Sequence, residues 1–263
     1  MKSLRFYGQP PFKIALIHGG PGAGGEMAPV ARRLASNGGV LEPLQTAATL
    51  PGQMEELEQV LERHADLPVA LVGYSWGAWL SALVTSKAPK LVEKLILISS
   101  GPFEHHYAKK IKPTRLSRLS EAEGREYQNL VDKLTHSQAG TSPEALARLG
   151  ALATKSDAYD PLLSLLAHQA SHRGEPDAFS QALQQALEMR KNGTLLEQAA
   201  RIRCPVTAIH GDYDPHPVEG VQRPLAAVLP NFHLILLEQC GHKPWIERQA
   251  KDTFYDVLQA ELF

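Results

Sequence analysis

At 263 residues, 43% hydrophobic and 21% charged, the chain has the size and composition of one large α/β domain, or of a core carrying an insertion. Its 27 basic residues against 28 acidic ones leave a net charge of −1, which gives no electrostatic footprint for nucleic acid or an anionic membrane. The segment from Met1 to Tyr7 lacks the apolar core of a signal peptide, and no apolar run approaches the roughly 18 residues that span a bilayer. Only Cys204 and Cys240 are present, so a cytoplasmic protein without a disulfide framework is expected.

In chain order, Lys13–His18, continuously apolar over its four middle residues, predicts a buried parallel strand, and it leads directly into His18-Gly19-Gly20-Pro21-Gly22. Ala28–Ala35 predicts a helix closed by a left-handed cap at Asn37-Gly38-Gly39. Val40–Leu44 reads as a strand, after which Met54, Leu57, Leu61 and His64 fall on one side of a helix. Val69–Val72 is a strand that runs into Gly73-Tyr74-Ser75-Trp76-Gly77, and the nearly all-apolar Trp76–Val84 predicts a buried helix. Lys94–Ser99 is the next strand.

Between Gly101 and Arg203 the pattern changes to helices without a convincing strand. Ser120-Glu121-Ala122-Glu123 matches a capping box, with Tyr127, Leu130, Val131 and Leu134 following at helical intervals. Ser142-Pro143, Asp160-Pro161 and Asp177 are further helix starts. Phe179, Ala182, Leu183, Ala186 and Leu187 make one apolar stripe that Asn192-Gly193 would end. Strands return at Val206–His210 and His233–Leu237, and a final helix begins near Ile246, with Ala250, Phe254, Val257 and Leu258 at core spacing. Strands alternating with helices, without hairpin signals, predict an open, doubly wound α/β fold with a mostly parallel sheet. Residues 1–100 and 204–263 would form the core, and 101–203 a helical insertion that covers it.

Four motifs at strand ends carry chemistry. A serine on a strained strand-to-helix turn between two glycines has its hydroxyl pushed out of the fold, which makes Ser75 a candidate nucleophile. Acyl transfer also needs two backbone N–H donors at the developing oxyanion; Trp76, after the serine, and Gly20, in the early glycine loop, are the assigned pair. The glycine run lacks the lysine and hydroxyl residue of a phosphate loop and the spacing of a dinucleotide fingerprint. In Gly211-Asp212-Tyr213-Asp214-Pro215-His216-Pro217 two aspartates compete for the carboxylate role: Asp214 is preferred, and Asp212 stays open as a residue that binds only turn backbone. Of the 11 histidines, His242 follows both serine and aspartate on a strand-end loop of its own, so it is the expected general base. His18 is expected to brace the glycine loop, and His105, His106, His168 and His172 fall in the insertion.

The order Ser75, Asp214, His242 is that of the α/β-hydrolase arrangement. With HGGPG and GYSWGA, the chain resembles the α/β-hydrolase superfamily and, within it, the proline iminopeptidase-like branch. The resemblance implies a metal-independent serine hydrolase without a cofactor and with a cap over the site. It carries the triad to Ser75, Asp214 and His242, and the oxyanion donors to Gly20 and Trp76. The expected activity is cleavage of a small ester or amide; release of N-terminal residues from short peptides and a catalytically silent ligand-binding protein are the alternatives. Aminopeptidases of that branch grip the substrate amine with cap glutamates, for which this insertion offers Glu104, Glu121, Glu123, Glu126, Glu144, Glu175 and Glu188 without a motif to choose among them.

Overall fold

A computed structural model describes residues 4–20, 24–136, 142–166 and 176–263. Seven strands form one sheet in the order β1-β3-β2-β4-β5-β6-β7: Leu4–Tyr7, Phe12–Ile17, Gly39–Pro43, Val69–Tyr74, Val92–Ile98, Val206–Gly211 and Phe232–Leu237 as β1 to β7. All neighbours run parallel except β1, which pairs antiparallel with β3 from Leu4 opposite Pro43 to Tyr7 opposite Val40. Leu4 and Phe6 share one face of the strand, yet Leu4 is buried and Phe6 exposed, so these four residues carry no period-2 signal to read as a strand. The parallel order and the strand positions otherwise agree with expectation. β4 is buried at all six positions and β5 at its last four, so the middle of the sheet is covered on both faces.

The helices of the first part are α1 (Ala28–Leu34), α2 (Leu50–His64) and α3 (Trp76–Lys87). Thr49 caps α2 by accepting the Gly52 N–H at 3.2 Å, and Leu50, Leu57 and Leu61 form its buried stripe. One expectation fails at α1. Its last turn stays right-handed at Ala35, the Asn37 N–H returns to the Leu34 carbonyl at 2.9 Å, and neither Gly38 nor Gly39 is left-handed. Gly39 is needed for a different reason: a side chain there would collide with the carbonyls of Gln9 and Pro11 and the ring of Phe12.

Between β5 and β6 the described residues form seven helices: α4 (His105–Ala108), α5 (Ile111–Ser117), α6 (Glu121–His136), α7 (Pro143–Asp157), α8 (Leu163–Leu166), α9 (Pro176–Asn192) and α10 (Thr194–Ala199). The capping box forms as read: the Ser120 N–H donates to Glu123 Oε2 at 3.0 Å and the Glu123 N–H to Ser120 Oγ at 3.3 Å. Ser142 Oγ accepts the Ala145 N–H at 3.2 Å to start α7, and left-handed Gly193 follows the end of α9. Asp160-Pro161 does not start a helix. Pro161 bridges to Glu247, and α8 begins two residues later, because the Asp160 N–H is drawn to the Glu247 carboxylate at 2.8 Å.

After the sheet resumes come α11 (Glu219–Val228) and α12 (Lys251–Leu262). The final helix therefore starts later than expected: Pro244–Ile246 is a separate 3-10 turn, and α12 buries Phe254 and Leu258 below it. Among the described residues no helix is long and apolar enough to cross a membrane.

Candidate active site

The turn after β4 follows from two glycines. A Cβ on Gly73 would strike the Gly77 carbonyl, and one on Gly77 would strike the carbonyls of Ile17 and His18, so only glycine lets α3 start this close to β2 and β4. Ser75 between them has φ 53° and ψ −112°, a conformation costly for a residue with a side chain. Its N–H donates to the Ile98 carbonyl of β5 at 2.9 Å, which fixes the turn against the sheet.

Ser75 Oγ lies 3.0 Å from His242 Nε2, and His242 Nδ1 lies 2.7 Å from Asp214 Oδ2. A carboxylate can only accept, so Nδ1 carries the proton and Nε2 is left to accept from the serine hydroxyl. The three side chains come from the ends of β4, β6 and β7, one rim of the sheet. Asp212, the competing aspartate, instead accepts the Cys240 backbone N–H at 3.1 Å.

Asp214 is surrounded by imidazoles. Its Oδ1 accepts from the His216 backbone N–H at 2.9 Å and from His216 Nδ1 at 2.8 Å, while His210 Nε2 stands 3.6 Å from Oδ2. Burial alone would raise the carboxyl, but His242, His216 and His210 outweigh it and hold Asp214 well below the usual carboxylate range. Burial also pushes His216 down to about 4, against the pull of Asp214. The His216 ring stacks on His242 at 4.5 Å between centroids, and Tyr74 stands 5.1 Å from the same imidazole on another side. Asp214, His216 and His242 also offer one potential metal-ligand atom each within 4.8 Å of one another. Both imidazole nitrogens facing Asp214 donate hydrogen bonds to it.

The loop carrying His242 is tied down from several sides. Its backbone N–H donates to the Asp157 carbonyl at 2.8 Å, and the Asp157 carboxylate is gripped by Arg115 at 2.8 Å from Nε and 2.6 Å from Nη2. Arg118 donates to the Ser156 and Tyr213 carbonyls at 3.0 and 2.8 Å and lies over the Tyr213 ring, next to Asp214. The buried Glu247 carboxylate accepts three backbone N–H groups, from Gly241, Tyr159 and Asp160, at 2.8–2.9 Å. Lys243 pairs with Glu26 at 2.6 Å, linking this loop to the segment after β2.

In that segment His18 is buried and donates from Nδ1 to the Gly19 carbonyl at 2.9 Å, as a brace for the glycine loop should. Gly19 itself leaves room for the Tyr74 ring and the Glu26 carboxylate. Gly20 and Trp76 both line a cavity of about 320 Å³ together with Ser75 and His242; Pro21 and Gly22 lie outside the described residues. The rest of the lining is apolar (Trp79, Ile111, Leu183 and Leu187) apart from Gly101, Arg115, Arg190 and His216.

Four of the five residues singled out in the sequence, Gly20, Ser75, Trp76 and His242, thus line one cavity, and the fifth, Asp214, is buried behind His242. Sequence reasoning missed His216, Glu247, Arg115, Asp157 and Arg190. His216 stood inside the quoted aspartate motif, but only the folded loop turns its ring onto His242. Among the described residues no glutamate of the insertion lines the cavity: Glu123, Glu126 and Glu188 pair with Lys155, Arg148 and Lys191, and Glu121 pairs with Arg125. Phe179, His168, His172 and Glu175 lie outside the residues whose side chains are described.

The family model described as "Alpha/beta hydrolase family" matches residues 14–257. Among curated proteins, a pimeloyl-[acyl-carrier protein] methyl ester esterase of Chromobacterium violaceum is 27% identical over 243 residues, covering 90% of this chain and 89% of its own. Its namesake from Aliivibrio fischeri is 27% identical over 212 residues, covering 79% of this chain and 74% of its own. Among solved structures, MenH from S. aureus superposes with a TM-score of 0.70 at 17% identity, covering 100% of this chain and 98% of its own. A bromoperoxidase from Bacillus anthracis reaches 0.67 at 16% identity, covering 98% and 94%. These curated relatives are esterases, which places the resemblance at the level of the superfamily and not of its iminopeptidase branch. The matched model spans every strand that carries the site, and the chain belongs to the alpha/beta hydrolase family.

Proposed function

We propose that the protein is a serine hydrolase that cleaves a small carboxylic ester through an acyl-enzyme, with Ser75 as nucleophile, His242 as general base and Asp214 as its partner. The observation that carries this reading is the unbroken relay of 3.0 and 2.7 Å from Ser75 Oγ through His242 to Asp214. His242 Nε2 takes the hydroxyl proton as Oγ attacks the substrate carbonyl. Asp214 holds the imidazole in the required tautomer and stabilises the imidazolium. The backbone N–H groups of Gly20 and Trp76 receive the oxyanion, each worth about 3 kcal/mol in comparable sites. The positive end of α3, which begins at Trp76, adds roughly a kcal/mol or less. The imidazolium then protonates the leaving group, and water, activated by the same histidine, releases the acid and restores Ser75. Residues 101–203 act as the cap, since Ile111, Leu183 and Leu187 close the cavity opposite the serine.

Ester substrates are favoured over N-terminal peptides because no carboxylate is among the described residues lining the cavity, where an aminopeptidase must hold a cationic amine. The relatives' printed activity, cleavage of a methyl ester, points the same way. The test is twofold. A fluorophosphonate probe at neutral pH should form a covalent adduct on Ser75; an unlabelled Ser75 supports a silent binding protein instead. Rates on p-nitrophenyl acyl esters should exceed those on aminoacyl naphthylamides; a preference for prolyl amides overturns the ester assignment in favour of the iminopeptidase one.

A further inference from the structure

Among the described residues Arg190 is the one charge in the cavity wall without a counter-charge. It sits on α9 at the helical interval from Leu183 and Leu187, so all three present one face to the cavity. Its Nε is buried with no hydrogen-bond partner, and among the described residues no carboxylate lies within ion-pair reach of its guanidinium. The acid nearest in sequence, Glu188, pairs with Lys191 on the solvent side at 3.7 Å. The guanidinium is held over the Trp79 ring, 5.3 Å from its centroid, and Trp79 is fixed by donating from Nε1 to the Gly101 carbonyl at 3.0 Å. The other charged groups near the cavity have partners: Arg115 pairs with Asp157, and Asp214 accepts hydrogen bonds from His216 and His242. The lining thus holds two guanidiniums and two imidazoles, and no acid.

A half-buried guanidinium whose buried Nε donor is idle is costly unless something anionic arrives to use it. From the position of Arg190 beside apolar side chains in the cavity that Ser75 also lines, we propose that the cavity takes esters whose acyl chain ends in a carboxylate, and that Arg190 is the specificity-determining residue that receives that carboxylate. This rests on the hydrolase reading above and adds the substrate class. The Arg190 fork can donate two parallel hydrogen bonds to a carboxylate, the strongest arrangement open to it. Trp79, Leu183 and Leu187 would hold the intervening methylenes, leaving the ester carbonyl at Ser75.

The experiment compares kcat/KM for mono-p-nitrophenyl adipate and for p-nitrophenyl heptanoate, a neutral ester of similar length. The wild type should prefer the anionic ester by about tenfold or more, as a charge-assisted pair replaces apolar contact. Arg190→Gln should reduce that ratio by about the same factor, and Arg190→Lys should restore part of it. Free adipate titrated calorimetrically into the Ser75→Ala protein should bind, and its affinity should fall when Arg190→Gln is added. A wild-type ratio at or below one overturns the proposal even if the Arg190 variants do not fold. Turnover of heptanoate without an anion preference leaves the hydrolase standing and removes the subsite. Adipate binding that depends on Arg190, without turnover of either ester, keeps the subsite and removes the hydrolase.

Discussion

The backbone N–H of His242 donates to the carbonyl of Asp157 at 2.8 Å, so the loop that carries the imidazole is pinned to the last residue of α7. Helices inserted between β5 and β6 therefore hold His242 in place as well as lining the cavity. The Asp157 carboxylate is itself locked by Arg115, whose Nη1 also reaches the Tyr127 hydroxyl at 3.3 Å.

Breaking that lock should reach the active site. Asp157→Ala leaves Arg115 largely buried without its counter-charge and should lower stability by about 3 kcal/mol in urea denaturation. It should also lower kcat, because the carbonyl that positions His242 is no longer anchored through its own side chain. Adding Arg115→Met to Asp157→Leu should recover most of the stability, since an apolar pair of similar volume does not carry the unpaired charge. Equal stability of Asp157→Ala and wild type would show that the ion pair does not support this junction.

The turn at Ser75 makes opposite predictions for neighbouring glycine and serine positions. Ser75→Gly relieves a positive φ and should gain about 1 kcal/mol of stability, while losing about 10⁴-fold or more in kcat. Ser75→Ala keeps the Cβ, and so should lose the activity without the gain. Gly77→Ala drives a methyl group into the carbonyls of Ile17 and His18 and should cost several kcal/mol, near the top of the ordinary range for overpacking. Thermal melts of the three variants test the ranking directly.

Much of this arrangement could be read from the chain because parallel strands with both faces covered are continuous apolar runs, and the loops at their carboxyl ends carry the chemistry. Val69–Tyr74 and Val206–Gly211 are of this kind, and the residues just past them are Ser75 and Asp214. β1 was missed because an edge strand of four residues carries too little periodicity. The late start of α12 was missed for another reason: Ile246 is buried at core spacing but belongs to a separate 3-10 turn. Glu247, Arg115 and Asp157 were illegible because each works through contacts with residues 6 to 88 positions away, to which local pattern is blind. A lone glutamate or arginine on a helix looks like a solvated residue until its partner is known.

The division of labour between the two aspartates in the β6 loop can be measured. Asp214→Asn keeps the shape but allows the wrong His242 tautomer, and kcat should fall by about 10⁴-fold. Asp212→Asn retains an oxygen for the Cys240 N–H, so kcat should change by less than about threefold and stability by about 1 kcal/mol at most. Comparable losses of kcat in the two variants would contradict the assignment.

His216 makes stability depend on pH in a defined window. Burial lowers it from 6.5 to about 4, so between those values the unfolded chain takes up a proton that the folded chain refuses. Acidification through the window therefore favours unfolding. At about 1.4 kcal/mol per pH unit, the loss attributable to this group approaches 3 kcal/mol by pH 4. Below that, Asp214 continues the trend, because its carboxyl is held well below the unfolded value and protonates first in the unfolded chain. His216→Gln keeps an N–H donor for Asp214 but cannot titrate, so its stability should fall less steeply between pH 6.5 and 4 than that of the wild type. Urea midpoints measured across that interval decide the matter: parallel curves for the two proteins would mean that His216 protonates equally well folded and unfolded, and that its stack on His242 leaves it open to water.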